Sequence, residues 1–270
     1  MIELTNLVKT FDQPGGDRVR ALRGVSLTMP AGQFLTVIGT NGSGKSTVLN
    51  AIAGTFAVDE GSIRIAGTDV THQAEHTRAA LIGRVFQDPF KGSCPSMTVG
   101  ENLRLAARRG ERRGLQLGLT RRTRDAYREQ LASLGLHLEH RVDALMGTLS
   151  GGQRQAITLL MATLKRPALL LLDEHTAALD PRAAEQVMQV SEHLVRSQQL
   201  TALMVTHSME HAVRFGDRTV MVHRGTIVAD LVGAERTGVT EADLLARFAQ
   251  LRYTAEMRYT QELAAGASDI

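Results

Sequence analysis

Several residue types are scarce in this 270-residue chain, and each scarcity excludes a class of protein. Tryptophan is absent and aromatic residues make up 4%, so the chain lacks the stacking side chains typical of single-stranded nucleic-acid binders. Its one cysteine, Cys94, can form no disulfide within the chain and has no companion for a zinc site. No apolar run approaches the roughly 18 to 20 residues that a membrane-spanning helix needs, and the polar start at Met1 does not resemble a signal peptide. We therefore expect a cytosolic protein with no nucleic-acid partner.

The residues that are present favour a well-packed globular domain. Hydrophobic residues make up 43% of the chain and the formal net charge is only +3. A chain of this length can bury a full core, and it suits one large α/β domain or a domain with an inserted lobe.

The order of patterns along the chain predicts an α/β fold. Two β-rich segments, 2–11 and 19–29, flank a Gly/Pro turn and are expected to pair. A strand-loop-helix unit follows at 33–53. After about residue 153, predicted helices and strands alternate, which indicates a mainly parallel sheet covered on both faces. Between these parts the pattern is mostly helical, and we interpret 88–149 as an inserted helical lobe.

The same patterns predict where the individual strands and helices lie. Strands are predicted at 33–38, 62–66, 81–86, 168–173, 201–206, 219–222 and 226–231. Helices are predicted at 46–53, 99–108, 121–134, 181–196 and 209–215, and a further helix is predicted to begin at about 153.

A glycine-rich loop joins the strand at 33–38 to the following helix. It matches GxxxxGK followed by Ser or Thr, in the strand-to-helix context that a phosphate-binding P-loop requires. Its glycines let backbone N–H groups curl around phosphate oxygens, at a helix N-terminus that favours anions. Lys45 would reach the β- and γ-phosphates of ATP, and Ser46 would supply a hydroxyl to Mg²⁺. The expected nucleotide-binding residues are Gly39, Thr40, Asn41, Gly42, Ser43, Gly44, Lys45, Ser46 and Thr47.

Two carboxylates follow the apolar run 169–172. This places Asp173 and Glu174 at the C-terminal edge of a buried strand, where open α/β sheets bind their ligands. Asp173 is expected to hold Mg²⁺ through water, and Glu174 to polarise the attacking water as a general base.

A second glycine-rich helix start, Leu149-Ser150-Gly151-Gly152-Gln153, also suits an anion. One P-loop gives a single chain little use for a second phosphate cradle. Leu-Ser-Gly-Gly-Gln is the signature of the ATP-binding cassette (ABC) ATPases, and the sequence resembles that family over roughly residues 1 to 235. The resemblance implies a P-loop core with an N-terminal antiparallel β subdomain (together 1–87 and 150–235), an inserted α-helical subdomain (88–149), and a C-terminal helix and tail (236–270).

The resemblance also assigns roles to residues outside these motifs. Phe11 matches the aromatic residue that stacks on adenine. Gln87 resembles the glutamine that contacts Mg²⁺ and water and reports on the membrane partner. Asp180 lies in a segment that looks like the D-loop, and His207 resembles the histidine that contacts the γ-phosphate and orients the catalytic glutamate.

In the family, two cassettes associate head to tail, so Ser150, Gly151, Gly152 and Gln153 of one copy would close over the ATP of the other. The expected partners are a second copy, permease subunits and, through the permease, an extracytoplasmic substrate-binding protein. The chain would be peripheral to the cytoplasmic face of the inner membrane. It would energise a bacterial importer of small solutes such as amino acids. An exporter subunit, or a soluble ABC ATPase acting on nucleic acid or ribosomes, are the alternatives.

Two features depart from the pattern. His175 stands where the family usually has proline, and the segment Asp173-Glu174-His175-Thr176 is similar to a bacterial importer subfamily. We interpret His175 as a packing or subfamily variant rather than a catalytic group. An arginine-rich stretch (residues 104–128) is either a solvated helical face or a surface directed at anionic lipid headgroups. Its members are Arg104, Arg108, Arg109, Arg112, Arg113, Arg121, Arg122, Arg124 and Arg128.

Overall fold

The computed structural model describes residues 1–13, 15–111, 118–236, 238–247, 249–250 and 254. Within these ranges, ten strands form two sheets. In chain order they are β1 (Ile2–Asp12), β2 (Arg18–Met29), β3 (Phe34–Ile38), β4 (Glu60–Ile65), β5 (Thr68–Asp69), β6 (Ile82–Val85), β7 (Leu169–Asp173), β8 (Ala202–Val205), β9 (Arg218–His223) and β10 (Thr226–Val232). The helices are α1 (Lys45–Ala53), α2 (Glu75–Arg78), α3 (Val99–Ala107), α4 (Arg121–Ala132), α5 (Gly151–Thr163), α6 (Pro181–Ser197) and α7 (Met209–Arg214).

The larger sheet has the strand order β10-β9-β3-β8-β7-β6. Strands β9, β3, β8, β7 and β6 are mutually parallel, and β10 pairs antiparallel with β9 at one edge. The predicted mainly parallel sheet is therefore confirmed. Because parallel strands end at the same edge, the loops after β3, β6, β7 and β8 lie side by side there.

Both faces of this sheet are buried, as a parallel sheet requires. On β7 the side chains alternate between two cores because successive residues of a strand point to opposite faces. Leu170 and Leu172 belong to a core with residues of α5 and α6, whereas Leu169 and Leu171 belong to a core with residues of α1, β1 and β2. The four consecutive leucines of this strand therefore serve two packing layers.

The smaller sheet has the order β2-β1-β4-β5, and its pairs are antiparallel. Cα partners run from Ile2 opposite Met29 to Asp12 opposite Arg18, which confirms the predicted pairing of the first two strands. Phe11 lies opposite Val19, so the two side chains share one face of this ribbon.

Most predicted elements begin and end within two residues of the observed ones. The helix after the glycine loop begins at Lys45, and the signature helix begins at Gly151, each one or two residues earlier than expected. The short elements β5 and α2 were not predicted, since two and four residues carry too little periodicity to be recognised.

Between β6 and β7 the described chain is helical, with α3 and α4 followed by two short 3₁₀ helices (Glu139–Arg141 and Met146–Thr148) and α5. α3 begins with a capping box in which Thr98 and Glu101 satisfy each other's backbone N–H groups.

After β10 come a third 3₁₀ helix (Gly233–Glu235) and helical residues at 241–247; most of the predicted C-terminal helix and tail lies outside the described residues. None of the helices in the described part of the chain is long and apolar enough to cross a membrane.

Candidate nucleotide-binding site

The glycine loop lies between the end of β3 and the start of α1. Gly42 and Gly44 have φ angles of 74° and 105°, a left-handed conformation that glycine adopts without strain. A Cβ on Gly39 would lie 2.3 Å from the Val222 carbonyl oxygen and 2.6 Å from Ser43 Oγ. Glycine is therefore required at position 39, because any side chain there would collide with Val222 and Ser43.

A turn between β9 and β10 supports this loop from the side. The Gly225 N–H donates to the Ser43 carbonyl at 2.8 Å, and the Arg23 N–H donates to the Gly225 carbonyl at 2.9 Å. The turn thus fastens the loop to β2, and the loop backbone is held before any ligand binds.

An open cavity of about 420 Å³ lies beside the loop. Loop residues 42–47 line one wall, and residues of β2 and of the β9–β10 turn line the others. Arg20, Arg23 and Arg224 are part of these walls, so three basic residues line a cavity that would hold phosphates. The sequence did not indicate these three arginines. Arg20 and Arg23 lie on β2 and Arg224 lies in the β9–β10 turn, and only the fold brings these segments together.

Lys45 is 5% exposed, and its Nζ donates to the carbonyls of Gly39 at 2.9 Å and Thr40 at 3.0 Å. Burial lowers the pKa of this ammonium group, while the charges of Glu174 and Asp173 act in the opposite direction. The Lys45 side chain thus bends back onto the backbone of its own glycine loop, where its ammonium group is held by the two carbonyls.

Ser43 Oγ is buried and has no hydrogen-bond partner in the described part of the chain. A buried polar atom without a partner is costly, and a phosphate oxygen would satisfy this hydroxyl. Ser46 is exposed and Thr47 is half-buried at the start of α1, so both hydroxyls are accessible beside the cradle.

Asp173 ends β7 at the edge where the glycine loop begins. Its Oδ2 lies 3.3 Å from Arg84 Nη2, and the same guanidinium donates to Asn50 Oδ1 at 2.6 Å. Burial raises the pKa of the Asp173 carboxyl, and the neighbouring Arg84 opposes that rise. Arg84 therefore stabilises the ionised form of Asp173, which is the form that binds a cation. The sequence did not reveal this contact between Arg84 and Asp173.

Glu174 follows directly and has a φ angle of 44°, which is unusual for a residue with a side chain. Its N–H donates to the Val205 carbonyl at 3.0 Å, so the end of β8 holds the strained backbone. Its Oε2 lies 3.5 Å from His207 Nδ1, and the carboxylate is much less exposed than the imidazole. The predicted glutamate–histidine pair is therefore brought together by adjacent strand ends.

His175 points the other way, into the core, where it is 1% exposed. Its Nε2 lies 2.8 Å from Ser191 Oγ, and that hydroxyl donates to the Val187 carbonyl at 2.7 Å. Because the serine proton is used there, the histidine must donate from Nε2. Burial lowers the pKa of His175 to about 3.

This burial predicts a pH-dependent stability. In the unfolded chain His175 has a pKa of 6.5 and binds a proton as the pH falls below that value. In the folded chain it stays unprotonated down to pH about 3, so the free energy of unfolding decreases between these two pH values. We expect the free energy of unfolding to fall by about 2 kcal/mol more between pH 7 and pH 5 in the wild type than in His175→Gln. Urea denaturation of both proteins measures the difference, and parallel pH profiles would contradict the assignment.

Two further predicted residues lie at the margins of this edge. Gln87 is exposed, immediately after β6 and Phe86. Phe11 is not among the residues that line the cavity; its ring packs edge-on against Phe56 with centroids 5.1 Å apart. It shares a face with Val19, which does line the cavity, so it borders the site.

The signature segment (residues 149–153) begins α5 elsewhere on the chain. Ser150 is the N-cap: its Oγ accepts from the Gln153 N–H at 3.3 Å, and its N–H donates to Gln153 Oε1 at 3.2 Å. A Cβ on Gly151 would lie 3.1 Å from Leu179, and one on Gly152 would lie 2.8 Å from Ala183. The two glycines therefore let α5 approach the start of α6, where Asp180 caps the helix through the Ala183 N–H.

A second cavity of about 430 Å³ is lined by Ser150, Gly152 and Gln153 together with residues of α6. It shares none of its described lining residues with the cavity at the glycine loop. The two glycine-rich helix starts of one chain therefore do not face a common space.

Several arginines of the arginine-rich stretch have partners within the described chain, some of them on its surface. Arg109 donates to the carbonyls of Ala162 and Lys165. Arg124 pairs with Asp143, and Arg128 pairs with Asp125. Arg112 and Arg113 lie outside the described residues. These contacts account for several of the arginines without any membrane contact.

The comparisons with known proteins agree with this geometry. A family model for the ABC transporter domain matches residues 22–177. The tyrosine transport ATP-binding protein of Clostridioides difficile (strain R20291) is 41% identical over 248 residues, covering 92% of this chain and 98% of that protein. The methionine import ATP-binding protein MetN 1 of Salmonella choleraesuis (strain SC-B67) is 32% identical over 255 residues, covering 93% of this chain and 71% of that protein.

Solved structures give the same match. The dimeric structure of MJ0796, a bacterial ABC transporter cassette, has a TM-score of 0.71 and 32% identity, covering 85% of this chain and 97% of that chain. A dimeric post-hydrolysis state of the same cassette, bound to ADP and Pi, also has a TM-score of 0.71, with 31% identity and the same coverage.

Fold and site together define a P-loop ATPase. The chain belongs to the ABC transporter family, as a nucleotide-binding subunit that binds and hydrolyses ATP.

Proposed function

We propose that the cavity beside the glycine loop is the ATP site. The N–H groups and Ser43 hydroxyl of the loop would bind phosphate oxygens, and Lys45 would exchange its two backbone carbonyls for the β- and γ-phosphates. Phe11, at the border of the cavity, would stack on adenine. Arg20 and Arg224, which line the same cavity as Lys45, would add positive charge there.

The oxygen donors at this edge suit Mg²⁺, which prefers hydroxyl, carboxylate and amide oxygens together with water. Ser46 and Asp173 would hold the ion with Gln87, and Arg84 opposes the rise in the pKa of Asp173 that burial causes. When bound, Mg²⁺ neutralises charge on the β- and γ-phosphate oxygens.

Glu174 would act as the general base. As the oxygen of water bonds to the γ-phosphorus and the bond to the β-phosphate oxygen breaks, the Glu174 carboxylate would accept the proton from the water. His207, 3.5 Å from that carboxylate, would orient it and contact the γ-phosphate.

One observation carries the assembly that we propose: the signature cavity and the glycine-loop cavity of one chain share none of their described lining residues. A second copy in head-to-tail orientation would bring its Ser150, Gly151, Gly152 and Gln153 over the ATP held by Lys45, with Asp180 close by. Closure would exclude bulk water from the γ-phosphate and leave the attacking water in place, and hydrolysis would remove the group that holds the two copies together. The dimeric relatives support this arrangement.

We further propose that this dimer docks beneath permease subunits on the cytoplasmic face of the inner membrane and energises import of small solutes such as amino acids. Phe90, three residues after Gln87, is 57% exposed, and Leu145 is 48% exposed. Arg154 links the two positions. Its guanidinium stacks on the Phe90 ring and donates to the carbonyl of Met146, the residue after Leu145. These apolar side chains suit a permease contact beside Gln87. The methionine import relative supports import, in which an extracytoplasmic binding protein would deliver the solute. The tyrosine transport relative supports an amino acid as the solute.

Proteoliposomes test the direction of transport. The tagged chain is purified with its membrane partner and reconstituted. The binding protein and labelled tyrosine or methionine are placed outside the vesicles, and ATP is supplied either inside or outside. An importer moves solute toward its ATPase subunits, so we expect accumulation only when ATP is enclosed. Accumulation driven by external ATP would mean export, and the absence of uptake of either amino acid would contradict the proposed solute class. Glu174→Gln is the control without turnover.

A further inference from the structure

Gln155 joins three functional segments through one buried side chain. It lies on α5, five residues after Ser150, and is 1% exposed. Its Nε2 donates to the Phe86 carbonyl at 2.8 Å and to the His175 carbonyl at 2.8 Å. Both hydrogens of one amide group are therefore used on two separate loops.

Each of these carbonyls lies next to a residue of the site. Phe86 directly precedes Gln87, and His175 directly follows Glu174. The parallel ladder between β6 and β7 runs from Ile82 opposite Leu169 to Val85 opposite Leu172. Beyond that last pair the strands separate, and the Gln155 amide bridges the gap that opens between the two loops.

The bridge has a fixed position relative to the signature segment. Five residues of helix span about 7.5 Å, and α5 is regular from Gly151 to Thr163, so Ser150 and Gln155 move together. The helix is buried from Arg154 to Thr163, so the part that holds Gln155 is tightly packed. A displacement at its N-terminus is therefore carried to the two carbonyls rather than absorbed within the helix.

We propose that Gln155 is a positioning residue that couples the two ATP sites of the dimer. The inference rests on the proposed dimer, in which Ser150 contacts the ATP bound by the partner. Through α5 and Gln155, that contact would set the positions of Gln87 and Glu174, which act on the ATP of their own chain. Nucleotide at one site thereby prepares the catalytic carboxylate of the other.

The test replaces Gln155 by methionine, which keeps the length of the side chain and removes both N–H donors. We expect steady-state ATP hydrolysis to fall about tenfold, because a small displacement of a catalytic group is enough for that loss. The Hill coefficient for ATP should fall from about 2 in the wild type to about 1. Nucleotide affinity measured with a fluorescent ATP analogue should change less than about twofold, since the glycine loop is untouched.

Thr163→Val is the matched control. Thr163 is also buried on α5 and loses its hydrogen bond on substitution, but that bond goes to the Leu159 carbonyl of the same helix. We expect this variant to remain cooperative. Equal effects of the two substitutions on the Hill coefficient would overturn the proposal, as would cooperative hydrolysis by Gln155→Met.

Two outcomes separate this inference from the dimer on which it rests. A wild-type Hill coefficient of 1, with no ATP-dependent dimer, refutes the dimer itself. Wild-type cooperativity that survives in Gln155→Met refutes only the role of Gln155. Gln155→Leu is made in parallel, because it suits a buried site and also lacks donors. One folded variant suffices, and failure of both to fold would make Gln155 a purely structural residue.

Discussion

Glu174→Gln is expected to leave ATP binding intact and to reduce the turnover number by about 100- to 10,000-fold, the range for loss of a general base. The amide keeps the shape of the side chain and its contact with His207 but cannot accept the proton from water. ATP should then persist at both sites, and size-exclusion chromatography with multi-angle light scattering should show a dimer in ATP and a monomer in ADP.

The neighbouring Glu210 provides the matched control. It lies on α7, three residues after His207, and pairs with Arg214 on the surface. We expect Glu210→Gln to hydrolyse ATP at the wild-type rate and to form no long-lived dimer. Brisk hydrolysis by Glu174→Gln would refute the assignment of the base, because a second group would then be accepting the proton.

Ser150→Glu is expected to abolish cooperative hydrolysis while single-site ATP binding stays unchanged. The larger carboxylate would stand against the triphosphate of the partner, so the dimer could not close over the nucleotide. Hydrolysis should fall by about 100-fold, the loss that follows removal of a transition-state contact. Titration with a fluorescent ATP analogue should give the wild-type dissociation constant, since the glycine-loop cavity contains no residue of the signature segment.

Substitution of an N-cap also destabilises its helix, by about 1 kcal/mol. Thr98→Glu controls for this cost, because Thr98 caps α3 with the same type of capping box that Ser150 forms on α5. The two variants should lose similar stability in urea, yet only Ser150→Glu should lose cooperativity. If Ser150→Glu also fails to bind nucleotide, the signature segment acts within its own chain and the proposed head-to-tail arrangement is wrong.

The chemistry at the sheet edge could be predicted because it depends on short stretches of chain. Lys45 follows β3, Asp173 ends β7, and His207 follows β8; each position is recognisable from an apolar strand and the polar residue after it. Parallel strands end together, so the sequence already implied that these groups meet. The two-residue strand β5 and the four-residue helix α2 carried no such pattern and were missed.

The role of His175 could be predicted only in part. Its position after Glu174 marked it as a departure from the family, and packing was the expected explanation. Its hydrogen-bond partner is the hydroxyl oxygen of Ser191, which lies sixteen residues away on α6 and can accept the bond. No local pattern contains that pairing.

The sequence by itself determined the class of fold, the order of the motifs and the residues that meet at the carboxyl edge of the sheet, because strand periodicity and loop composition are local properties. Only the tertiary structure decided that Arg84 binds Asp173, that Arg20 and Arg224 share the cavity, and that Gln155 bridges the carbonyls of Phe86 and His175. Each of these contacts joins segments far apart in the chain. The packing of helices and strands sets their distances, and that packing follows from the whole core.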